Sequence, residues 1–318
     1  PGVIDSLVEQ ARDPGPVPEI RINWKKGKRT WRGRHHFRGW FRSPTRSLPL
    51  PPESRTAYLE MVLPREPFSE PRPGVVVQLA GTGDMTYAAR RRLAMPLVDR
   101  GIGTIILQNP YYGERQPSRQ SGTVLLEVAD QLAMNLATIQ EARGILDWLR
   151  REGFDLVGVT GYSMGGFMAG YTAHAMPYPV AAIPCASGDS AADILIHSPL
   201  RRIVDWEKLA EEAGGLEEAR LELREILDQL SLTRYPPPVC TDAAIIVGTS
   251  RDEFVPVEEP IKLYEHWKGA EIRWIPAGHT TGWAFHGDII REAVFDAFAR
   301  VKNCPIPGPS IDEDLSRA

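Results

Sequence analysis

The segment Val157-Gly158-Val159-Thr160-Gly161-Tyr162-Ser163-Met164-Gly165-Gly166-Phe167 constrains this chain more than any other. A short apolar run drives directly into G-x-S-x-G and then into small residues with helical spacing. A serine on so tight a strand-to-helix turn has strained dihedrals, and the glycines two residues to either side let strand and helix pass without a Cβ clash. The turn lifts the Ser163 hydroxyl into a cleft and aims the Met164 N–H where a carbonyl oxygen would gain negative charge. A glycine-rich structural turn is the plainer alternative; the strand before and the helix after favour catalytic use.

The chain around this turn reads as a βαβα succession. Strands are expected at Thr56–Leu63, Val75–Ala80, Thr104–Gln108, Leu156–Gly161, Val180–Ala186, Ala244–Val247 and Ile272–Ile275, several near-continuously apolar as befits burial on both faces. Between Thr123 and Arg151, Val124, Val128, Leu132, Leu136, Ile139, Ile145, Leu146 and Leu149 keep a helical period, and Gly153 supplies the stop. The fold class is therefore α/β, a mostly parallel central sheet flanked by helices. Residues 187–240 break the alternation and look helical: Leu216, Ala219, Leu223, Ile226, Leu227 and Leu230 form an apolar stripe that ends before Pro236-Pro237-Pro238. Such an insertion is expected to cap the carboxyl ends of the strands, with a peripheral helical hairpin as the alternative. The organisation expected is a basic extension at 1–36, one domain at 37–302 with the cap inside it, and a tail at 303–318 without periodicity, carrying Pro305, Pro307 and Pro309.

Composition narrows the class. With 42% hydrophobic and 25% charged residues in 318, neither wholesale disorder nor a collagen-like repeat fits. Cys185, Cys240 and Cys304 are scattered, form no CxxC metal pattern and suggest no disulfide framework, which fits a reducing compartment. No apolar run approaches the ~18 residues that span a bilayer, and no secretory segment is recognisable, although a start at Pro1 leaves a removed targeting segment open. A cytoplasmic location is expected, with membrane association as its variant. Residues 1–60 carry 12 Lys and Arg against 6 Asp and Glu, and the remainder carries 25 against 35. Residues 21–46 hold ten basic residues, no acid, and Trp24, Trp31, Phe37, Trp40 and Phe41. That mixture suits peripheral contact with an anionic membrane; the plainer reading is a solvated extension or aromatics packed on the body. An acidic body without a nucleic-acid motif argues against a nucleic-acid partner.

A serine nucleophile needs a base and an acid, and on such a sheet the chain order is serine, acid, histidine. His279, in Pro276-Ala277-Gly278-His279-Thr280-Thr281-Gly282 after a strand, is the expected base, and His286 is the competitor. Asp252, four residues past its strand, is the expected acid, with Asp189 and Glu253 as alternatives. A second oxyanion donor should come from the loop in Leu79-Ala80-Gly81-Thr82-Gly83-Asp84, by the Thr82 N–H or, less favoured, that of Gly83. Gly81, Gly83, Tyr162 and the Tyr111-Tyr112 pair are expected around the pocket, although the two tyrosines could equally fill the core.

With these elements in order, the chain resembles the α/β-hydrolase superfamily. Leu79-Ala80-Gly81-Thr82-Gly83-Asp84, Tyr87 with Arg90-Arg91-Arg92, Asn109-Pro110-Tyr111-Tyr112-Gly113, Thr160-Gly161 with Ser163-Met164-Gly165-Gly166, and Gly278-His279 look like the alpha/beta-hydrolase domain-containing protein 18 family. Trp40-Phe41-Arg42-Ser43-Pro44 fits a family element too, and that likeness implies that the leader runs into the first strand rather than forming a separate module. The likeness runs over residues 39–302. It implies a single α/β-hydrolase domain with Ser163, Asp252 and His279 as the triad, acyl-ester hydrolysis, and a lipid ester as a plausible substrate. The chain is shorter than the family's animal members between the sixth strand and Asp252, so substrate and location are not carried over. The expected function is a serine hydrolase of carboxylesterase, lipase or thioesterase type acting on a small-molecule or lipid acyl ester, without metal or organic cofactor; peptidase or acyltransferase chemistry could use the same residues. The rival is a non-catalytic protein of this fold that binds a membrane or partner through its basic segment, which the intact set of three residues disfavours. Oligomeric state is not readable from the sequence.

Overall fold

In the computed structural model, residues 2–25, 29–31, 33–118, 120–123, 125 and 127–305 are described. The apolar runs become strands: β1 (Asn23–Trp24), β2 (Arg29–Trp31), β3 (Arg34–Arg42), β4 (Thr56–Leu63), β5 (Val75–Leu79), β6 (Gly103–Leu107), β7 (Val157–Tyr162), β8 (Ala181–Cys185), β9 (Ile245–Thr249) and β10 (Glu271–Ile275). Among the described residues they form one ten-stranded sheet in the order β1-β3-β4-β6-β5-β7-β8-β9-β10, with β2 on β3. From β6 to β10 the pairing is parallel; β1, β2, β3 and β4 add an antiparallel edge. The register Leu79↔Gly161 and Tyr162↔Cys185 brings the carboxyl ends of β5, β7 and β8 level, which is where an open α/β sheet places its site.

The helices are α1 (Gly2–Arg12), α2 (Ala88–Asp99), α3 (Val128–Arg151), α4 (Met164–His174), α5 (Ala192–His197), α6 (Trp206–Ala213), α7 (Leu216–Asp228), α8 (Glu258–His266), α9 (His279–Phe285) and α10 (Gly287–Val301). Alternation along the strands sorts them into two layers. Val75, Val77 and Leu79 face a core shared with Ile145 and Leu149 of α3 and Met168 of α4, whereas Val76 faces Leu97 of α2 and Ile290 and Val294 of α10. Strand residues buried on both faces explain why these segments read as unbroken apolar runs. α3 begins at Val128, later than the periodicity suggests; Val124 lies outside the described residues, as do Pro307 and Pro309.

Two expectations change. The boundary drawn at residue 36 falls inside β3, so the described residues 23–24, 29–31 and 34–36 of the basic segment are sheet edge rather than appendage. Its charges meet acids of the body. Arg34 pairs with Asp99, and Arg38 and His36 reach Glu60 at 3.0 and 3.3 Å. Glu60 is buried, which opposes ionisation, yet the bonds from His36 and Arg91 prevail and hold its pKa at about 2. Trp24 packs edge-on against Phe37 at 5.8 Å and beside Trp148 at 5.7 Å. Lys26, Lys28 and Arg32 are outside the described residues, and so is the side chain of Trp31. The second change concerns sulfur: Cys240 and Cys304 form a disulfide with a Cα–Cα distance of 6.1 Å, and Cys185 stays a buried thiol. Long-range folding places α10 beside the turn before β9, a proximity that spacing along the chain does not disclose. Among the described residues no helix is long and apolar enough to cross a membrane.

Candidate active site

β7 leads straight into Ser163, whose φ of 58° and ψ of −124° lie outside the regions a serine ordinarily adopts. The close strand-to-helix passage behind it depends on glycine: a Cβ at Gly161 would stand 2.3 Å from the Gly165 carbonyl group, and one at Gly165 would stand 2.5 Å from Leu79 O. The neighbouring strand ends carry positive φ as well, at Tyr111 after β6 and Ala186 after β8. Strain thus collects along one edge of the sheet, where the carboxyl ends converge.

α4 starts immediately after Ser163. Its first turn closes through Gly166 and Phe167, whose N–H groups donate to Ser163 O at 2.8 and 3.1 Å. The Met164 N–H has no partner among the described residues, and neither has that of Thr82 on the loop after β5. Gly83 is different: its N–H donates to Tyr112 Oη at 3.1 Å. Two unengaged donors, one of them at a helix N-terminus, make this the electropositive side of the site.

His279 opens α9 directly after β10. Its Nδ1 lies 2.7 Å from Asp252 Oδ2, and the pair is nearly enclosed, with side-chain exposures of 12% and 1%. Asp252 Oδ1 accepts from the N–H groups of Phe254 and Val255 at 2.9 and 2.8 Å, and Thr249 Oγ1 donates to Oδ2. Burial alone would raise the pKa of this carboxyl; bonds from His279, Thr249 and Val255 outweigh burial and hold it below the ordinary value. The imidazole is also fixed from its flanks. Tyr162 donates to His279 O at 2.6 Å and sets its ring 5.3 Å from the imidazole, and Phe254 makes a T-shaped contact with it, also at 5.3 Å. The Ser163 hydroxyl has no hydrogen-bond partner among the described residues, an arrangement that tightens in many enzymes only when substrate arrives.

The remaining acids and bases sit elsewhere. Asp189 accepts from Ser231 Oγ at 2.6 Å and the Thr233 N–H at 2.7 Å, tying the loop after β8 to the end of the cap. Glu253 accepts from the His279 N–H at 3.3 Å, and His286 lies between α9 and α10. Burial pushes the Cys185 thiol up to about 12, so it offers no thiolate.

Ser163, Met164 and Thr82 border a cavity of about 230 Å³ whose other wall is the helical insertion. Leu132 and Phe167 line it from the body, Ile194, Leu195, Leu223 and Leu227 from the cap, and Ile4 from α1. Residues 187–240 are helical as expected, and they cover the strand ends. Lys208 of α6 forms an ion pair with Glu127 at the rim. The expected pocket residues do not line this cavity. Tyr111 is buried with Oη 2.8 Å from Asp130 Oδ1; Tyr112 lies beneath Gly83; Tyr162 stands behind His279. Gly81 faces the Tyr162 carbonyl, where a Cβ would stand 2.9 Å from the oxygen, and Gly83 is turned to Tyr112. Aromatic residues after a strand fit wall and core equally well in sequence, and here tertiary packing takes them inward. Sequence reasoning missed the bracing by Thr249 and Phe254; only Thr249, at the end of a strand three residues before Asp252, gave any signal. Among the described residues no cluster of His, Cys, Asp and Glu is arranged to hold a metal.

The family model described as "Alpha/beta hydrolase domain containing 18" matches residues 8–216 and 211–300. A relative from Mycobacterium tuberculosis strain H37Rv, "Uncharacterized protein Rv2627c", is 28% identical over 292 residues; the match covers 84% of this chain and 64% of that protein's length. Acetyl xylan esterase 1 from Thermoanaerobacterium sp. JW/SL YS485 has a similar structure, with a TM-score of 0.65, 16% identity and coverage of 93% of this chain and 94% of the esterase. The acetyl xylan esterase from Paenibacillus sp. R4 gives a TM-score of 0.63 at 17% identity, covering 92% and 91%. These structural likenesses establish the architecture, an α/β-hydrolase fold.

Proposed function

The chain belongs to the alpha/beta hydrolase domain containing 18 family, and from that premise we propose that it is a serine hydrolase cleaving an acyl ester through Ser163, His279 and Asp252. The observation that carries this reading is the convergence at one sheet edge of a strained serine, a histidine held 2.7 Å from a buried carboxylate, and two peptide donors without partners. His279 takes the proton of Ser163 as its oxygen attacks the acyl carbonyl, and Asp252 keeps the proton-bearing Nδ1 turned away so that Nε2 can accept. Negative charge then builds on the carbonyl oxygen between the N–H groups of Met164 and Thr82. Collapse expels the alcohol, which receives its proton from His279, and leaves an ester on Ser163. Water, deprotonated by the same imidazole, releases the acid and restores the serine.

The apolar cavity favours a substrate with an aliphatic or aromatic acyl group, from a small-molecule or lipid ester, and a thioester would pass through the same steps. Labelling with a fluorophosphonate probe tests the proposal. Wild type should react, and Ser163→Ala and His279→Ala should not; a folded wild type inert to both the probe and p-nitrophenyl esters would refute it.

A further inference from the structure

The Thr82 N–H projects from a turn, and an amide in so short a segment keeps its aim only if the residues around it are tied down. The Tyr112 hydroxyl accepts from the Gly83 N–H at 3.1 Å. Gln108 Nε2 donates to Met85 O at 3.3 Å. Arg90, only 2% exposed, donates from Nε to Asp84 Oδ2 at 2.6 Å and from Nη2 to Thr86 O at 3.3 Å. The same guanidinium donates to the carbonyl of Gln78 at 3.2 Å and to that of Leu107, so it rests on the ends of β5 and β6. None of these side chains borders the cavity. The Gln108–Gly113 segment, together with Arg90 of α2, therefore holds the residues that directly follow Thr82, from Gly83 to Thr86, while Arg90 also ties them to Gln78 before it, and the Thr82 N–H is left as the donor still unengaged.

From this geometry we infer that Tyr112 is a positioning residue for the oxyanion site, holding the Thr82 amide on its target through Gly83, with the Arg90–Asp84 pair as a second anchor one residue further on. The inference rests on the serine-hydrolase reading above and explains two sequence elements that the reaction itself leaves unused, Asn109-Pro110-Tyr111-Tyr112-Gly113 and Arg90. Tyr112 touches no reacting atom. Its effect should fall on the charged transition state and leave ground-state binding almost unchanged.

Tyr112→Phe removes only the hydroxyl, and Asp84→Ala loosens the other anchor. Deleting one oxyanion donor outright costs about 10²–10³ in kcat, so a donor present but poorly aimed should cost about tenfold. The expected result for both variants is a roughly tenfold fall in kcat on p-nitrophenyl butyrate with KM within twofold of wild type, and an equal loss of affinity for an alkylboronic acid, which forms a tetrahedral adduct on the serine. A merely structural role would lower the melting temperature and leave kcat and boronate affinity in place. If either folded variant retains both quantities within twofold while wild type is active, the positioning role is wrong and the serine-hydrolase reading stands. If wild type itself neither labels with fluorophosphonate nor turns over esters, both fall. Should Tyr112→Phe fail to fold, Asp84→Ala decides by the same criteria.

Discussion

Asp252→Asn makes the sharpest test of the proposed triad, because the surroundings of the carboxyl dictate which way an amide must sit. Oδ1 accepts from two peptide N–H groups, those of Phe254 and Val255, at 2.9 and 2.8 Å. Turning the asparagine NH2 toward them would set donor against donor in a buried place, at about 1–3 kcal/mol for each unsatisfied group. The amide oxygen therefore stays on the peptides, and the NH2 takes the place of Oδ2 beside His279 Nδ1. That nitrogen must then accept, so the single proton of the neutral ring moves to Nε2, the atom that has to receive the proton of Ser163. Thr249 adapts by rotating its hydroxyl to accept. The variant should keep its fold and lose about 10⁴ in kcat, the scale of this tautomer defect in a triad, or about 5.5 kcal/mol of transition-state stabilisation. Turnover of p-nitrophenyl butyrate and the rate of fluorophosphonate labelling, each with a melting curve, provide the measurement. A folded Asp252→Asn protein within tenfold of wild type would show that Asp252 does not set the imidazole tautomer.

Three further predictions concern the frame. Arg115 and Glu141 are both fully buried and joined by bonds of 2.6 and 2.8 Å; Glu141→Ala strands the guanidinium and should cost about 3–5 kcal/mol in urea unfolding, whereas Arg115→Met with Glu141→Leu recovers most of it. A loss below about 1 kcal/mol for the single change would refute that account. Burial pushes the His174 imidazole down from 6.5 to about 4, so the unfolded chain binds the extra proton first; stability should decline as pH falls from 6.5 to 4, by up to about 3 kcal/mol, and His174→Phe should flatten that decline in denaturation at stepped pH. The Cys240–Cys304 bond closes a sequence separation of 64 residues, worth about 4 kcal/mol by loop-closure entropy; Cys240→Ser should lower the urea midpoint accordingly, and equal midpoints with and without reductant would refute the bond's contribution.

The β-strands of the central sheet are legible in the sequence because burial on both faces forces continuous apolar runs, and the bounds expected for β4 match the observed ones. The strand-to-helix turn at Ser163 is legible because its glycines answer a steric demand local to the turn. Asp252 and Asp189 both follow strands, Asp252 the strand just before the histidine's own, and the structure puts Asp189 on Ser231 and Thr233 instead. The features hidden from sequence depend on residues far apart in the chain. Tyr112 meets Gly83 across 29 positions, and Arg91 meets Glu60 across 31. Neither sequence separation nor residue type distinguishes a tyrosine that walls a pocket from one that braces a loop.

The antiparallel border of the sheet has a practical corollary for anyone trimming the protein. A version begun at residue 37, the natural choice if the basic stretch is taken for a tag-like leader, would cut the first three residues from the nine of β3 and remove the His35↔Leu63 and His36↔Val62 pairs. The far end of β4, whose Val62 and Leu63 are almost wholly buried, would then present open N–H and C=O groups beside an apolar surface. Such an edge recruits other chains. Precipitation of that fragment would report a torn seam in the sheet and say nothing about catalysis, so the role of the basic residues is better studied by charge reversal within an intact β3.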